Sequence, residues 1–327
     1  MRFGLFGMNV TGGLVMTQNP QWKPSFQKIA DRLQLVERRL PGEEFCFVPI
    51  SRWKGYSGEK EIAGDAMESI SLASFLLSKT ETSKIFGTFS TFAYEPELVA
   101  HVAVRLNAEF ENRFEINIVG GWKKDEFDYF HKPYLETSQK VYEFASAWTN
   151  RFKLAEKEHS KTIGSVIEGN YRYARAGIMC AAFSKEGRKF AEKYADSIFT
   201  TITKGHFHKT DASLKASSAI TLFVQNSISE AEDYYKFLLE TNVDQKAAES
   251  FVNDLSFSDS FKGHFSKKNM HLVKSGAGIE ELITDADGLT AFLVEVRKHG
   301  LHSLLFALPD YDTSLEILID CISRSSK

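Results

Sequence analysis

The chain has 327 residues, of which 43% are hydrophobic and 25% are charged, a globular composition with enough chain for one large domain or two small ones. Forty basic and forty-three acidic residues give a formal net charge of −3, which excludes a global positive surplus that would draw the chain to nucleic acid or an anionic membrane. Its three cysteines are far apart in sequence, which argues against a disulfide framework or a thiolate zinc site and favours a reducing compartment.

The beginning of the sequence, MRFGLFGMNVTGG, lacks the ~7 to 15 residue apolar run of a secretory signal. No stretch of the chain reaches the ~20 apolar residues that are needed to span a bilayer. We therefore expect a cytoplasmic protein with no membrane partner.

Eight short apolar runs, rich in residues that favour β-structure, recur along the chain and predict strands. They cover residues 2–7, 44–50, 84–90, 113–120, 177–183, 197–203, 219–226 and 301–307. Because most of these runs are continuously apolar, the strands are typical of a parallel sheet buried on both faces.

The segments between the predicted strands carry helical periodicity. One helix face is formed by Phe26, Ile29, Ala30, Leu33, Val36 and Leu40, and a second by Leu98, Val99, Val102 and Leu106. Eight alternating strand and helix units predict an α/β fold, a TIM (β/α)8 barrel, formed by a single domain over residues 1–327. An open doubly wound sheet is the competing architecture, because periodicity alone does not show closure.

Two gaps between predicted strands are too long for one helix and predict insertions after strands 4 and 7. The first gap, 121–176, contains a predicted helix over about 134–154 and then a polar segment, 156–170, expected to form an excursion or small hairpin. The second gap, 227–300, begins with a predicted helix and continues into a polar segment, 256–278, with enough Gly and Ser for a lid or loop.

The common motifs for dinucleotides, nucleoside triphosphates, zinc proteases and α/β-hydrolases are absent from the sequence. His206 and His208 form an H-x-H pair after the sixth predicted strand. Because this pair has no third ligand nearby, we favour an exposed or hydrogen-bonded loop pair over a metal site and predict no metal.

Chemistry in a barrel of this class is expected where the strands end, and polar and aromatic residues gather at those positions. Asn117 stands among apolar neighbours, so its amide must find partners, either within the barrel or in a ligand. Ser184 opens a predicted helix, where its hydroxyl would serve as an N-cap or help to bind a phosphate.

Four motifs carry a resemblance to a known family. They are NVTGGLV after the first strand, RFEINIVGGWKKDEF around the fourth, a Tyr that opens the next long helix, and S-x-x-G-x-x-x-A-x-x-x-A-D over 184–196. In this order the motifs resemble the bacterial luciferase-like flavin monooxygenases, and most closely the dimethylsulfone, alkanesulfonate and pyrimidine monooxygenases. The similarity covers roughly residues 3–202 and returns more weakly near the end of the chain.

The resemblance implies a barrel that binds reduced FMN from a separate NAD(P)H:flavin reductase and uses O2 to oxygenate a small organosulfur or heterocyclic substrate. A homo-oligomer, dimer or tetramer, is also expected. The implied FMN contacts are Ser51, Arg52, Thr88, Asn117, Glu126, Tyr134 and Ser184, and Thr88 and Asn117 are the implied catalytic hydrogen-bond donors. The implied substrate residues are Asn9, Trp22, Trp53, Tyr56 and His206. Core or lid packing is the alternative role for the aromatic residues, and Arg52 is also a candidate for an anionic substrate group.

The sequence departs from the family pattern at the implied phosphate site. Pro133 stands where several relatives have Arg, and Ala182 stands where they have a glycine of a G-x-S motif. A replacement cation, Lys132 or Arg188, is therefore predicted to help Ser184. A deazaflavin-dependent oxidoreductase of the same superfamily and a non-catalytic flavin-binding paralogue or partner subunit are the alternative functions.

Overall fold

The structure is a computed structural model that describes residues 1–19, 22–56, 62–163, 175–201, 215–256, 270–276 and 278–326. The strands within these ranges are β1 (Arg2–Phe6), β2 (Phe45–Val48), β3 (Lys84–Ser90), β4 (Phe114–Val119), β5 (Ile178–Ala181), β6 (Ser197–Thr201), β7 (Lys215–Gln225), β8 (Glu280–Asp285) and β9 (Ser303–Ala307).

The α-helices within these ranges surround the sheet. They are α1 (Phe26–Arg39), α2 (Ser69–Lys79), α3 (Pro96–Glu109), α4 (Lys124–Tyr129), α5 (Ser138–Ile163), α6 (Lys185–Tyr194), α7 (Ile228–Lys236), α8 (Gln245–Ser256), α9 (Met270–Gly276), α10 (Ala286–Lys298) and α11 (Thr313–Ser325). A π-helical turn, Phe237–Thr241, continues α7.

Eight parallel strands close into a barrel. Strands β1 to β6 are paired in sequence order, β9 pairs with both β1 and β7, and the pairing of β6 with β7 completes the ring. The closing registers set Arg2 opposite Ser303 and Ser197 opposite Lys215. This closure confirms the predicted TIM barrel and excludes the open sheet.

The eight predicted strands correspond to β1–β7 and β9, and β3 has the predicted bounds. The predicted start of β7 was wrong, because this strand begins at Lys215, four residues earlier than predicted. β8 was not predicted. It pairs with the second half of β7, from Ile220 opposite Glu280 to Gln225 opposite Asp285. Its sequence, EELITD, is mostly half-buried and too polar to give the signal of a buried strand.

The polar segments predicted in the two long gaps are partly helical. Helix α5 runs to Ile163, so the first half of the segment predicted as a hairpin continues a 26-residue helix. In the second gap, α9 lies within the stretch predicted as a lid or loop, and α8 precedes it without having been predicted. The rest of the two polar segments, 164–170, 257–269 and 277, lies outside the described residues.

The predicted helix faces are confirmed for α1 and partly wrong for α3. Ile29 and Leu33 of α1 are buried, and the Ser25 side chain caps this helix by accepting a hydrogen bond from the Lys28 N–H. Leu98, predicted on the apolar face of α3, is 53% exposed, whereas the inward positions include Val99.

Two apolar layers hold the barrel together. Strand residues such as Phe47 and Phe89 face the helices, whereas residues of the opposite alternation, such as Val48 and Phe86, face the barrel interior. The interior layer continues past the carboxyl ends of the strands to Phe251 of α8, which therefore covers that end. Among the described residues, no helix is both long enough and apolar enough to cross a membrane.

Candidate functional site

Thr88 and Asn117 form a buried polar pair inside the barrel. The residues are opposite each other in the pairing of β3 with β4, so strand alternation directs both side chains inward. The Asn117 Nδ2 donates a hydrogen bond to the Thr88 Oγ1 over 3.2 Å, and both side chains are almost fully buried. The structure therefore brings together the two residues that were predicted to act together.

The hydrogen bonds of this pair fix its orientation. The Thr88 hydroxyl donates to the Pro49 carbonyl over 2.5 Å, so its oxygen is left to accept from the Asn117 amide. The Asn117 Oδ1 then points away from Thr88 and has no hydrogen-bond partner although it is buried. Since a buried unpaired carbonyl is costly, Asn117 offers an acceptor to a ligand that carries an N–H. The predicted donor roles of both residues stay predictions.

The loop after β2 carries Ser51 and Arg52 to the same end of the barrel. The hydroxyl oxygens of Ser51 and Ser90 lie 3.1 Å apart, which ties this loop to the end of β3. The Arg52 guanidinium lies 4.8 Å from the ring centroid of Trp122 and 3.8 Å from a carboxylate oxygen of Glu126. Burial lowers the pKa of Arg52, but the Tyr56 hydroxyl and the nearby carboxylates raise it more, so Arg52 stays charged.

Glu126 is a buried carboxylate that holds the β2 loop in place. Its Oε1 accepts hydrogen bonds from the backbone N–H groups of Trp53, over 2.8 Å, and of Lys54, over 3.2 Å. The Glu126 carboxylate therefore accepts hydrogen bonds from two backbone N–H groups and also balances the positive charge of Arg52. In this structure the predicted flavin contact Glu126 positions Arg52 and Trp53.

Tyr56 and Trp53 are the predicted substrate residues that join this cluster. Tyr56 is 2% exposed, and its ring makes an edge contact with Phe251 of α8, with centroids 4.9 Å apart. Burial raises the pKa of the Tyr56 hydroxyl, and the hydroxyl has no partner. The Trp53 ring packs on the Phe130 ring, with centroids 5.0 Å apart. The Trp53 Nε1 is also buried and has no hydrogen-bond partner.

Two predicted substrate residues, Asn9 and Trp22, make structural hydrogen bonds. The Asn9 side chain is 0% exposed, donates to the Ile50 carbonyl over 2.7 Å and accepts from the Ile50 N–H over 2.8 Å. The Trp22 Nε1 donates to the Met8 carbonyl over 2.6 Å, and the Trp22 ring packs against Tyr311. Both side chains hold the loop after β1, and their substrate contact stays a prediction. His206 and His208 lie outside the described residues.

Ser184 caps helix α6. Its hydroxyl accepts a hydrogen bond from the Gly187 N–H over 3.1 Å, as predicted for an N-cap. Ser184 lowers the pKa of the Tyr142 hydroxyl, but burial raises this pKa more. Tyr142 was not predicted as a site residue, because an aromatic residue at this position of a helix is typical of core packing.

Tyr134, Lys132 and Arg188 are the other residues of the implied phosphate site. The Tyr134 hydroxyl donates to the Trp122 carbonyl over 3.2 Å, and burial raises the Tyr134 pKa. Lys132 and Arg188 are exposed, as expected of side chains that could turn toward an anion. The structure shows no contact of either cation with Ser184.

Lys123 is a buried cation that sequence reasoning missed. Its side chain is 3% exposed, and its Nζ lies 2.5 Å from the Asp125 carboxylate and 3.1 Å from the Asp254 carboxylate of α8. The ammonium also lies 5.8 Å from the ring centroid of Tyr56. In the sequence, Lys123 and the exposed Lys124 are adjacent and chemically identical, so no sequence signal separates them.

The opposite end of the barrel carries ion pairs at the strand starts. The Arg2 Nη1 lies 3.1 Å from the Glu115 carboxylate, and Arg175 pairs with Asp196. Asp196 also accepts from the Ile178 N–H over 2.9 Å. Burial raises the Asp196 pKa, but these hydrogen bonds and Arg175 lower it further, to below its ordinary value of 3.8. This end of a barrel generally serves stability.

The chain is similar to known proteins in sequence and in fold. Residues 1–274 match the profile of the luciferase-like monooxygenase family. A curated relative, the pyrimidine monooxygenase RutA of Caulobacter vibrioides, is 28% identical over 242 residues, which cover 68% of this chain and 65% of the relative. The chain thus spans slightly less than two thirds of that relative.

Two solved structures show the same fold. A riboflavin lyase, RcaE, solved with modified FMN and riboflavin, has a TM-score of 0.75 and 15% identity, and the match covers 100% of this chain and 92% of the lyase. DmoA from Hyphomicrobium sulfonivorans has a TM-score of 0.73 and 14% identity, and the match covers 98% of this chain and 86% of DmoA.

Proposed function

The chain belongs to the luciferase-like monooxygenase family, and from this premise we propose that it is an FMN-dependent monooxygenase. When bound, the reduced flavin would supply two electrons to O2, so that one oxygen atom passes to the substrate and the other leaves as water. The observation that carries the proposal is the set of buried, unpaired polar atoms at the carboxyl end of the barrel.

These polar atoms fit the edge of a flavin ring. The Asn117 Oδ1 is an acceptor without a donor, whereas the Arg52 Nε and the Trp53 Nε1 are donors without acceptors. A flavin ring presents both N–H and carbonyl groups along one edge, so its binding would satisfy both kinds of atom. A local packing fault would leave a single unpaired polar atom. The carboxyl end of the barrel has several, both donors and acceptors, which favours binding of a polar, planar ligand there.

The phosphate of FMN would lie at the start of helix α6. Ser184 and the Tyr142 hydroxyl interact there, and the first backbone N–H groups of a ten-residue helix face outward. Pro133 supplies neither a charge nor an N–H, so we assign the cationic role to Lys132 or Arg188. The phosphate site would therefore rely more on hydroxyl and backbone donors than on a guanidinium.

The protein's own contribution is orientation and exclusion of water. Arg52 and Glu126 fix the β2 loop, and Thr88 holds the Asn117 amide so that its Oδ1 is presented to the ligand. Helix α8 covers this end of the barrel with Phe251, which would keep water from the reacting groups. No described residue is required to act as a general base in this scheme.

Substrate and partners follow from the relatives as proposals. Pyrimidine oxidation by the curated relative favours a small heterocycle, and an organosulfur compound is the second class to test. A separate NAD(P)H:flavin reductase would supply the reduced FMN. We also propose a homo-oligomer, and a cytoplasmic location stays a prediction.

Anaerobic titration with oxidised and dithionite-reduced FMN tests the cofactor. We expect tighter binding of reduced FMN, and the absence of any absorbance or fluorescence change at micromolar flavin would overturn the proposal. A reduced deazaflavin, titrated in parallel, tests the alternative cofactor.

Substrate-dependent oxygen uptake tests the activity. A panel of pyrimidines, sulfones and sulfonates would be supplied with reduced FMN and O2, and the oxygenated product would be followed by mass spectrometry. Thr88→Val and Asn117→Leu should each lower product formation, by ~10² to 10³-fold, because one removes the hydroxyl that orients the Asn117 amide and the other removes the amide itself. Full turnover in both variants would remove them from the catalytic assignment.

A further inference from the structure

A cavity of about 370 Å³ lies at the amino end of the barrel, opposite the proposed flavin site. Its lining includes the starts of β1, β6, β7 and the residue before β9. The Arg2 N–H donates to the His302 carbonyl over 2.9 Å, and the His302 N–H donates to the Ala216 carbonyl over 2.7 Å. Ser197 lies opposite Lys215 in the pairing of β6 with β7. The cavity therefore spans the junction at which the first and last strands of the chain complete the barrel.

Several hydrogen-bond donors on the wall of this cavity have no partner. The Arg2 side chain is 9% exposed, its Nη1 pairs with the Glu115 carboxylate over 3.1 Å, and its Nε is buried without a hydrogen bond. The Arg2 Nη2, the Lys215 ammonium and the His302 ring make no hydrogen bond within the described residues. Lys215 is exposed whereas Arg2 is buried, so these donors extend from the rim of the cavity to its floor.

The charges that line the cavity do not balance. Its cations are Arg2, Arg175 and Lys215, and its carboxylates are Glu115 and Asp196. Both carboxylates are already paired, Glu115 with Arg2 and Asp196 with Arg175. The positive charge of Lys215 is therefore left without a counterion in the described part of the chain. An unbalanced cation beside unused donors is the arrangement that binds an oxyanion.

We infer that this cavity is a binding site for a small oxyanion, either a carboxylate or a group of the sulfate and phosphate type, held by Arg2, Lys215 and His302. The bound anion links β1, β7 and the residue before β9, so it stabilises the closed barrel over the unfolded chain. This site lies at the end of the barrel away from the flavin site, and the inference does not rest on the proposed function.

His302 reports whether the site is occupied. Burial lowers the pKa of His302 below its ordinary value of 6.5, Arg2 and Lys215 lower it as well, and Glu115 and Glu44 raise it less. A bound anion favours the protonated imidazole and must therefore raise this pKa. By linkage, the anion binds more tightly as the pH falls and His302 becomes protonated.

NMR of the histidine rings tests the site with sulfate, whose charge stays constant over about pH 5 to 8, where histidine titrates. The His302 signal, assigned by its loss in His302→Gln, should shift with a roughly millimolar dissociation constant, the affinity that two or three charge-assisted hydrogen bonds support. Sodium chloride at equal ionic strength is the control for screening. Acetate at neutral pH is the second probe: tighter binding of acetate identifies a carboxylate site, and tighter binding of sulfate a site of the sulfate and phosphate type.

Variants separate this site from other anion sites. Lys215→Met should weaken sulfate binding at His302 roughly tenfold, because a charge-assisted hydrogen bond is lost. Lys236→Met removes an exposed lysine outside the cavity and is the matched control. Ser184→Ala changes the proposed flavin phosphate site and should leave the response of His302 to sulfate unchanged.

Urea unfolding measures the same site through stability. Sulfate stabilises folded proteins in general, so the informative quantity is the rise in the urea midpoint of the parent beyond that of Lys215→Met. This excess should be larger at about pH 5.5 than at about pH 7.5, and the effect of pH on sulfate stabilisation should shrink in His302→Gln. His299→Gln removes an exposed histidine nearby in sequence and should behave as the parent does.

Three results would overturn the inference. They are a His302 signal that responds to neither anion beyond the effect of sodium chloride, equal sulfate affinity of Lys215→Met and the parent, and loss of the His302 response in Ser184→Ala. If His302→Gln does not fold, Lys215→Met decides alone, and histidine signals that respond to sulfate equally in this variant and the parent count against the site. Failure of the parent to bind FMN would overturn the proposed function and leave this test unaffected.

Discussion

Replacing Asn117 by leucine should separate the stability of the protein from its ability to bind flavin. The substitution removes the buried, unpaired Oδ1 and the hydrogen bond from Nδ2 to the Thr88 hydroxyl. An unsatisfied buried polar group costs ~1 to 3 kcal/mol, and a neutral hydrogen bond contributes ~0.5 to 1.5 kcal/mol. The free energy of unfolding of the ligand-free protein should therefore stay level or rise by about 1 kcal/mol.

Replacing Thr88 by valine should have the opposite effect on stability. It removes the hydroxyl that both donates to the Pro49 carbonyl and accepts from Asn117. Two buried groups then lose a partner at once, at ~1 to 3 kcal/mol each, so a loss of about 2 to 6 kcal/mol is expected. Both variants should nevertheless bind reduced FMN more weakly, because the orientation of the Asn117 amide is lost in one and the amide itself in the other.

Urea unfolding of the ligand-free proteins and anaerobic FMN titration measure these two effects independently. Asn107→Ala is a matched control, because Asn107 is also a buried asparagine with one unpaired atom, but its Oδ1 accepts from the Phe114 N–H at the start of β4. This control should lose stability and keep its FMN affinity. A loss of more than about 2 kcal/mol in Asn117→Leu, or parental FMN affinity in that variant, would refute the reasoning.

Two further predictions concern the helix end and the opposite end of the barrel. Reduced FMN should bind more tightly than reduced riboflavin, and this preference should shrink by about one order of magnitude in Ser184→Ala and in Lys132→Ala, since a charge-assisted hydrogen bond is worth ~1.5 to 3 kcal/mol. Equal affinity of the parent for the two flavins would contradict the phosphate site. Asp196→Asn should lower the urea midpoint at pH 7, because the Asp196 pKa is depressed in the folded state by hydrogen bonds and Arg175. The difference in stability between the parent and Asp196→Asn should be fully present above pH 3.8 and should fade as the pH falls below that value. A stability difference that persists in acid would contradict this assignment.

The barrel was predictable because its strands are apolar and β-prone, and because helical periodicity separates them. β3 shows the principle, since KIFGTFS has a clear polar boundary before it and is buried from Ile85 onward. β8 escaped prediction because EELITD pairs outside the barrel ring and keeps much of its surface in solvent. A strand of this kind has neither the continuous apolar run nor the strict alternation by which sequence reasoning recognises strands.

The site was predictable where a residue type is unusual for its surroundings and unpredictable where contacts join distant segments. Asn117 stood out as an amide in an apolar strand. The significance of Lys123 depends on Asp254, which is 131 positions away and reaches it only through the folding of α8 over the barrel. The roles of Asn9 and Trp22 could not be separated from ligand binding, because the hydrogen bonds that occupy them are to backbone carbonyls that the sequence does not reveal.

The closure of the barrel also sets the order in which the chain can fold. β1 is paired on one side with β2 and on the other with β9. One edge of β1 therefore stays unpaired until residues 303–306 have been synthesised. During synthesis, β1 to β6 can assemble as an open sheet with two exposed edges, and such edges invite pairing with other chains. Contacts this distant in sequence slow folding. The nascent chain should therefore be most prone to aggregation late in translation, and chaperone binding should peak just before β9 leaves the ribosome.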